Sequence, residues 1–196
     1  SGGHAAIPYL TIDPIPCGAA IVQSLQSIVS RRVAALEPAV VSVTIFESGS
    51  ALNVIPGSAR LGGTARSFSP DVRKLLENSI HEIAMATAKA YDCTIEIDWQ
   101  PGYPPTVNHA EESARAVAVA ANVLGTENII TDLPPSMGAE DFSYMLAEKP
   151  GSYIWLGAGP AKDGAMLHND RYDFNDDVLA TGASYWARLA ESELPK

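Results

Sequence analysis

Residues 166–176 place one histidine, His168, among aspartates and asparagines, just after an apolar segment and a Gly-rich loop. An imidazole beside acidic side chains is an arrangement that proteins use to hold a first-row metal ion. The same residue types also suit a solvated surface loop, and by themselves they favour that interpretation. A metal role for His168 therefore depends on where further ligands would come from.

The number of possible ligands limits this interpretation. A catalytic zinc site usually takes about three protein ligands and a water molecule. The chain has four histidines and two cysteines, none of them in a CxxC, HxH or HExxH spacing, and no second histidine lies near His168. The sequence therefore predicts that the other ligands lie outside this chain, which would be part of a longer protein. We expect the chain alone to bind no metal tightly and to be inactive.

Composition excludes several classes of function. The 196 residues are 46% hydrophobic and 18% charged, which is typical of globular domains. A net charge of −10 argues against nucleic acid or an anionic membrane as the partner. No apolar run approaches the ~18–20 residues of a membrane span. Two widely separated cysteines do not suggest a disulfide framework, so we expect a reducing, cytoplasmic location.

Hydrophobic periodicity up to residue 99 predicts the order β-α-β-β-α-β. Thr11 or Asp13, ahead of Pro14, is predicted to cap the first helix, and Ser69, ahead of Pro70, the second. Two helices on one face of a four-stranded antiparallel sheet form a ferredoxin-like unit. The predicted elements are the end of a strand at 1–8, a helix at 19–33, strands at 39–47 and 58–68, a helix from Ser69 and a strand at 93–99.

The proline-rich segment 101–105 is the best candidate for a domain boundary, dividing the chain into residues 1–105 and 106–196. The second part mixes helices with few strands and resembles an incomplete α/β sheet, so the chain as a whole is of the α/β (α+β) class. Its predicted helices are 108–124, 140–147 and 178–193, and its predicted strands are 128–131 and 153–156, the latter of a buried type.

A series of short motifs, in order along the chain, resembles the C-terminal half of the M20 metallopeptidases. The likeness is greatest to the amidohydrolase branch, which contains hippurate hydrolases and N-acyl-amino-acid amidohydrolases. The motifs are GGHAAIP at 2–8, TIDP at 11–14, NVIP at 53–56, GTARSF at 63–68, YPPTVN at 103–108, MGAEDFS at 137–143, LHN at 167–169 and DFND at 173–176.

The resemblance implies a catalytic domain with two divalent metal ions, zinc or manganese, interrupted by an inserted lid that also forms a homodimer. Residues 1–105 would be this lid and dimerisation domain. Residues 106–196 would be the C-terminal segment of the metallohydrolase catalytic domain. The family's remaining metal ligands and its catalytic glutamate have no counterpart in this chain and would precede Ser1.

The resemblance also assigns roles to individual residues. His168 would be a metal ligand, and His4 would be catalytic, reaching the partner subunit's active site to stabilise an oxyanion. Tyr9 stands where related enzymes often carry a histidine, and we assign it no role. His81 and His109 match no motif and are expected at the surface. The substrate-binding candidates are Asn53, Arg66, Gly138 and Glu140, of which Arg66 would bind a carboxylate.

The function implied is metal-dependent hydrolysis of the amide bond of N-acyl amino acids or similar small conjugates, like that of hippurate hydrolase. One alternative is a dipeptidase or carboxypeptidase of the same clan. A second alternative is a non-catalytic module for dimerisation or ligand binding. No nucleic acid and no membrane is expected as a partner.

Overall fold

A computed structural model of the chain describes residues 1–159 and 164–194 and confirms the mixed α/β class. The chain forms two compact units. The first unit comprises Ser1–Pro105 together with Met137–Ala139, and the second comprises Thr106–Ser136 and the described residues from Glu140 onward.

The first unit contains two helices and two separate two-stranded antiparallel sheets. One sheet is long and joins β2 to β4, with an irregular register between Val43 and Ile45. The other joins only two residues of β1 to two of β3. The elements in chain order are β1 (Gly3–His4), α1 (Pro14–Arg31), β2 (Ala39–Ser48), β3 (Val54–Ile55), β4 (Ala59–Ser67) and α2 (Pro70–Ala90).

The core of the first unit lies between the two helices and the β2–β4 sheet. Ile28 of α1 and Leu76 of α2 are 0% and 1% exposed, as the apolar spacing of three to four residues predicts. Both predicted helix starts are confirmed, and of the two candidates for the first cap it is Asp13, not Thr11, that caps α1. The Asp13 carboxylate accepts a hydrogen bond from the Ile15 N–H at 2.9 Å, and the Ser69 hydroxyl accepts one from the α2 backbone.

The strand predicted at 93–99 is not formed, although its burial pattern was predicted correctly. Cys93, Ile95 and Ile97 pack against the core, and the residues between them are exposed. Period-two alternation requires only an extended backbone with one face packed. A strand also needs ladder hydrogen bonds to a neighbour, and the described residues form no such ladder along this segment.

The two cysteines, distant in sequence, meet in the core of this unit. Cys17 lies in the first turn of α1 and is 4% exposed, and Cys93 packs against the same cluster. Burial, followed by a hydrogen bond with the Cys93 thiol, raises the pKa of Cys17 to about 11. A thiol that stays protonated at neutral pH is a poor nucleophile, so Cys17 acts as a packing residue.

The second unit is helical among its described residues: α3 (Ala110–Leu124), α4 (Phe142–Glu148) and α5 (Leu179–Glu193). Helices α3 and α5 pack together, burying Val119 and Tyr185. Neither predicted strand, 128–131 or 153–156, is present. The second was predicted to be buried, yet Trp155 is 63% exposed, because no strand in the described part of this unit pairs with it. None of the described helices is both long and apolar enough to cross a membrane.

The buried position of Leu76 yields a stability prediction. Leu76→Ala should lower the free energy of unfolding of the first unit by about 2–5 kcal/mol, because it removes apolar contacts and leaves a cavity. Leu36→Ala is the matched control, since Leu36 is 96% exposed, and should change stability by less than about 0.5 kcal/mol. Chemical denaturation of both variants measures the difference, and equal midpoints would contradict the proposed core.

Candidate functional site

His4 stands on the two-residue strand β1, and the pairing of this strand brings it close to Asn53. In the β1–β3 ladder His4 lies opposite Val54. The next residue, Ala5, donates its N–H to the main-chain oxygen of Asn53 at 3.0 Å. Two residues predicted separately, His4 and Asn53, are therefore neighbours, and both are exposed to solvent.

The His4 ring is held by its own backbone turn. The Ala6 N–H donates to His4 Nδ1 at 3.1 Å. A ring nitrogen that accepts a hydrogen bond carries no proton, so in the neutral imidazole the proton lies on Nε2. In this tautomer the Nε2–H, on the opposite edge of the ring from the hydrogen-bonded Nδ1, is the donor that His4 can offer to a ligand.

The glycine before this strand is required by close packing of backbone against backbone. A Cβ at Gly2 would lie 2.5 Å from the main-chain oxygen of Ile55 and 2.9 Å from the nitrogen of Gly57. Neither backbone atom can move without disturbing the β1–β3 pairing. Gly2 therefore allows the approach that positions His4.

Arg66 lies on β4, opposite Val40 of β2. The adjacent Ala65 packs against the core, so alternation along the strand directs Arg66 to the other face of the sheet. Its side chain is half-buried and makes no hydrogen bond or ion pair with any residue in the described ranges. An unpaired, partly desolvated guanidinium is a favourable site for a planar carboxylate.

Glu140, in the second unit, precedes the short helix α4 and is bound by an aromatic hydroxyl. The Tyr153 hydroxyl donates to Glu140 Oε2 at 2.8 Å, and the Phe142 N–H approaches Oε1 at 3.5 Å. The hydrogen bond from Tyr153, followed by one involving Asp141, lowers the pKa of Glu140. The same contact with Glu140 raises the pKa of Tyr153. The pair is therefore a neutral phenol donating to a carboxylate ion.

Tyr153 is itself held by the residues that precede α3. The Asn108 side chain donates to the Tyr153 main-chain oxygen at 2.8 Å and accepts from its N–H at 2.7 Å. His109 forms two similar bonds to Gly151, one through its own N–H at 3.0 Å and one through Nδ1 at 3.2 Å. We call residues 108–109 and 151–153 the backbone clamp, since these four bonds fix the segment that carries Tyr153.

His168 adopts an unusual backbone conformation. Its φ is +68°, in the left-handed region, and it is one of two non-glycine residues with positive φ among the described residues. Such conformations are costly for a residue with a Cβ and are found preferentially at functional positions. The ring is exposed in a turn in which the Asn169 N–H donates to the Met166 oxygen at 3.1 Å.

In the part of the chain that the structure describes, the possible donors do not form a metal site by themselves. Across residues 1–159 and 164–194, no three histidine, cysteine or acidic side chains gather closely enough to hold a metal ion. His168 is suited to supply one nitrogen ligand and no more. Gly138, the remaining candidate, lies exposed in the loop segment Met137–Ala139.

Sequence reasoning missed the partners of Glu140. Tyr153 was assigned only to a strand, although a tyrosine in an apolar segment needs a partner for its hydroxyl, and that need was the available signal. His81 and His109, expected at the surface, are both half-buried. His81 Nδ1 lies 2.9 Å from the Glu77 oxygen, and His109 belongs to the backbone clamp.

Comparison with known proteins identifies the class. Residues 7–192 match the model of peptidase family M20/M25/M40, and the chain belongs to this family. It is 38% identical over 194 residues to IAA-amino acid hydrolase ILR1-like 2 of Arabidopsis thaliana, covering 96% of this chain and 44% of that protein. It is 37% identical over 189 residues to the hippurate hydrolase of Campylobacter jejuni, covering 96% and 49%.

The fold agrees with a solved member of the family. The YXEP protein of Bacillus subtilis, a dinuclear metal binding peptidase from the M20 family, superposes with a TM-score of 0.67 at 27% identity. The match covers 91% of this chain and 45% of that one. The chain thus spans about half the length of the curated relatives it matches.

The close approach at Gly2 yields a prediction about the position of His4. Gly2→Ala should weaken the β1–β3 pairing, because the new Cβ overlaps backbone atoms of β3 and the turn after it. We expect amide hydrogen exchange at Ala5 to accelerate by about tenfold or more.

Gly102→Ala is the matched control, because a Cβ there meets nothing within 4 Å. Thermal unfolding should be unchanged in both variants, since the core cluster contains no residue of β1 or β3. If the Ala5 amide exchanged as slowly in Gly2→Ala as in the unaltered protein, the β1–β3 ladder would not depend on this glycine.

Proposed function

We propose that this chain supplies the lid and the C-terminal catalytic segment of an amidohydrolase that cleaves N-acyl amino acids or similar small amide conjugates. The observation that carries the proposal is the half-buried guanidinium of Arg66, which has no partner among the residues that the structure describes. A free carboxylate is the group that all N-acyl amino acids share. Similarity to a hippurate hydrolase over 96% of the chain supports the same substrate class.

Arg66 would bind the substrate carboxylate. A guanidinium presents parallel N–H donors that match the two carboxylate oxygens, and the half-buried setting strengthens the attraction relative to bulk water. Asn53, whose side chain is exposed beside His4, adds an amide that can bind a further polar group of the substrate. Glu140 and the backbone at Gly138 would contribute a carboxylate acceptor and an N–H donor.

His4 would stabilise the oxyanion that develops as the amide carbonyl is attacked. Its neutral Nε2–H is a donor that needs no change of protonation to act. In the lid arrangement this donor would serve the partner subunit of a homodimer, so each active site would combine residues of two chains.

His168 would provide one ligand to a pair of divalent ions, zinc or manganese, in the complete protein. Bound there, such ions supply a Lewis acid that polarises the amide carbonyl. The other ligands would come from protein outside this chain, and we expect the 196 residues alone to hydrolyse no amide. The two cysteines, free thiols in the structure, are compatible with a cytoplasmic location.

Substrate comparison tests the proposal. The full-length protein should hydrolyse hippurate, and the 196-residue chain alone should not. Preference for dipeptides would instead favour the dipeptidase or carboxypeptidase alternative. Absence of turnover on both classes by the metal-loaded, full-length protein would favour a non-catalytic module and reject the proposal.

The role of Arg66 predicts a selective loss of affinity. Arg66→Lys in the full-length protein should raise the KM for hippurate about tenfold or more, because an ammonium cannot make the paired contacts of the planar fork. The KM for the carboxamide analogue of hippurate should not change. Arg60→Lys is the control on the same strand, where the guanidinium already pairs with Glu47 at 3.2 Å on the surface. Equal effects on the acid and the carboxamide would contradict carboxylate binding.

The role of His4 predicts recovery of activity on mixing two inactive variants. His4→Ala should lower kcat by about 10²–10³ with a smaller change in KM, since the charge it binds develops mainly in the transition state. His168→Ala should be inactive through loss of a metal ligand. In a heterodimer of the two variants, the His4→Ala subunit still has His168, and the His168→Ala subunit can donate its His4 to that site. One of the two active sites is therefore complete.

Subunit exchange followed by a hydrolysis assay should therefore restore about half of the unaltered rate per heterodimer. If heterodimers are present but inactive, His4 serves its own subunit or only the fold.

A further inference from the structure

We propose that Tyr153 is a positioning residue that orients the Glu140 carboxylate and keeps it ready to accept a hydrogen bond from the substrate. This inference rests on the proposed substrate-binding role of Glu140. No part of the sequence pattern assigns a function to the Tyr153 hydroxyl, and its place beside Glu140 is a property of the fold.

The geometry of the pair supports an orienting role. The hydroxyl contacts one carboxylate oxygen, Oε2, at 2.8 Å, whereas the Phe142 N–H approaches the other, Oε1, only at 3.5 Å. The Tyr153 ring also packs against Phe142, with ring centroids 5.7 Å apart. One directed hydrogen bond from a packed ring thus selects the rotamer of a half-buried glutamate that would otherwise be free to turn.

Tyr153 can hold Glu140 because it is itself held. The Asn108 amide bonds both the N–H and the carbonyl of Tyr153, as a neighbouring strand would. The paired bonds between His109 and Gly151 fix the chain two residues earlier. These bonds join residues that are more than 40 positions apart. The Tyr153 side chain is therefore positioned by the residues that precede α3, and not by the loop that carries Glu140.

The chemistry of the pair matches a binding carboxylate. An ionised carboxylate has no proton to donate, so the Tyr153 hydroxyl must be the donor in this pair. The contact lowers the pKa of Glu140. Tyr153 donates to Oε2 and the Phe142 N–H approaches Oε1, and because an ionised carboxylate can accept about four hydrogen bonds, it can still accept one from an N–H or O–H donor of the substrate. The other titratable neighbour is Asp141, which contributes in the same direction.

A double-mutant cycle in the full-length protein distinguishes positioning from a merely structural role. Tyr153→Phe keeps the ring and removes only the donor. We expect it to raise the KM for hippurate about fivefold, with little change in kcat. Glu140→Gln should raise KM at least as much. The double variant should be no worse than Glu140→Gln alone, because Tyr153 acts through the charge of Glu140.

The pH profile supplies a second readout. The hydrogen bond favours the ionised carboxylate, so its loss in Tyr153→Phe raises the pKa of Glu140. Binding that depends on this charge is present above the pKa and is lost as pH falls through it. The acid limb of the kcat/KM profile should therefore move to higher pH in Tyr153→Phe. Tyr91→Phe is the control, because Tyr91 is 42% exposed at the end of α2.

Every outcome of these two experiments either supports or contradicts the positioning role of Tyr153. Non-additive KM effects together with the shifted acid limb support the inference. A Tyr153→Phe variant that behaves like Tyr91→Phe, or one that adds its full effect to Glu140→Gln, would overturn it while leaving the proposed function intact. Lack of amide hydrolysis by the unaltered full-length protein would instead overturn the proposed function, and this inference with it.

Discussion

A short extended segment keeps a defined path only when its backbone N–H and C=O groups are paired with another part of the chain, and this requirement decides how the candidate functional residues are held. His4 and Glu140 both lie on segments that are too short for their backbone N–H and C=O groups to pair within the segment itself. The two-residue strand β1 obtains its partners from β3. The segment that carries Tyr153 obtains its partners from the Asn108 amide and from His109. Each candidate side chain is thus placed by residues distant in sequence.

Local groups and net charge act in opposite directions on the proposed substrate. A chain with a net charge of −10 repels an anionic N-acyl amino acid at long range. At physiological ionic strength this repulsion is screened beyond about 8 Å, so contacts inside the site decide binding. Arg66 is half-buried and unpaired among the described residues, so in the proposed role it would provide attraction at short range, where screening is weakest.

Much of the first unit could be predicted, because its signals are local. Asp13 and Ser69 mark helix starts through their own side-chain hydrogen bonds. The alternation of apolar and polar residues in β2 and β4 indicates a sheet with one packed face. The prediction of a strand at 93–99 failed for a physical reason. Alternation was present, but it does not determine whether a neighbour supplies ladder bonds. At 153–156 the apolar residues likewise did not imply burial.

Local sequence signals were enough to predict the helices and the long β2–β4 sheet, and the ordered motifs predicted membership of the M20 family. The sequence also indicated His4, Asn53, Arg66, Gly138, Glu140 and His168 as candidates, with no information on their distances. The folded chain was needed to show that His4 lies beside Asn53 and that Tyr153 binds Glu140. Helix caps and hydrophobic periodicity act over a few residues and can therefore be recognised from the sequence. Contacts between residues 108 and 153 depend on the path of the whole intervening chain, which no local pattern encodes.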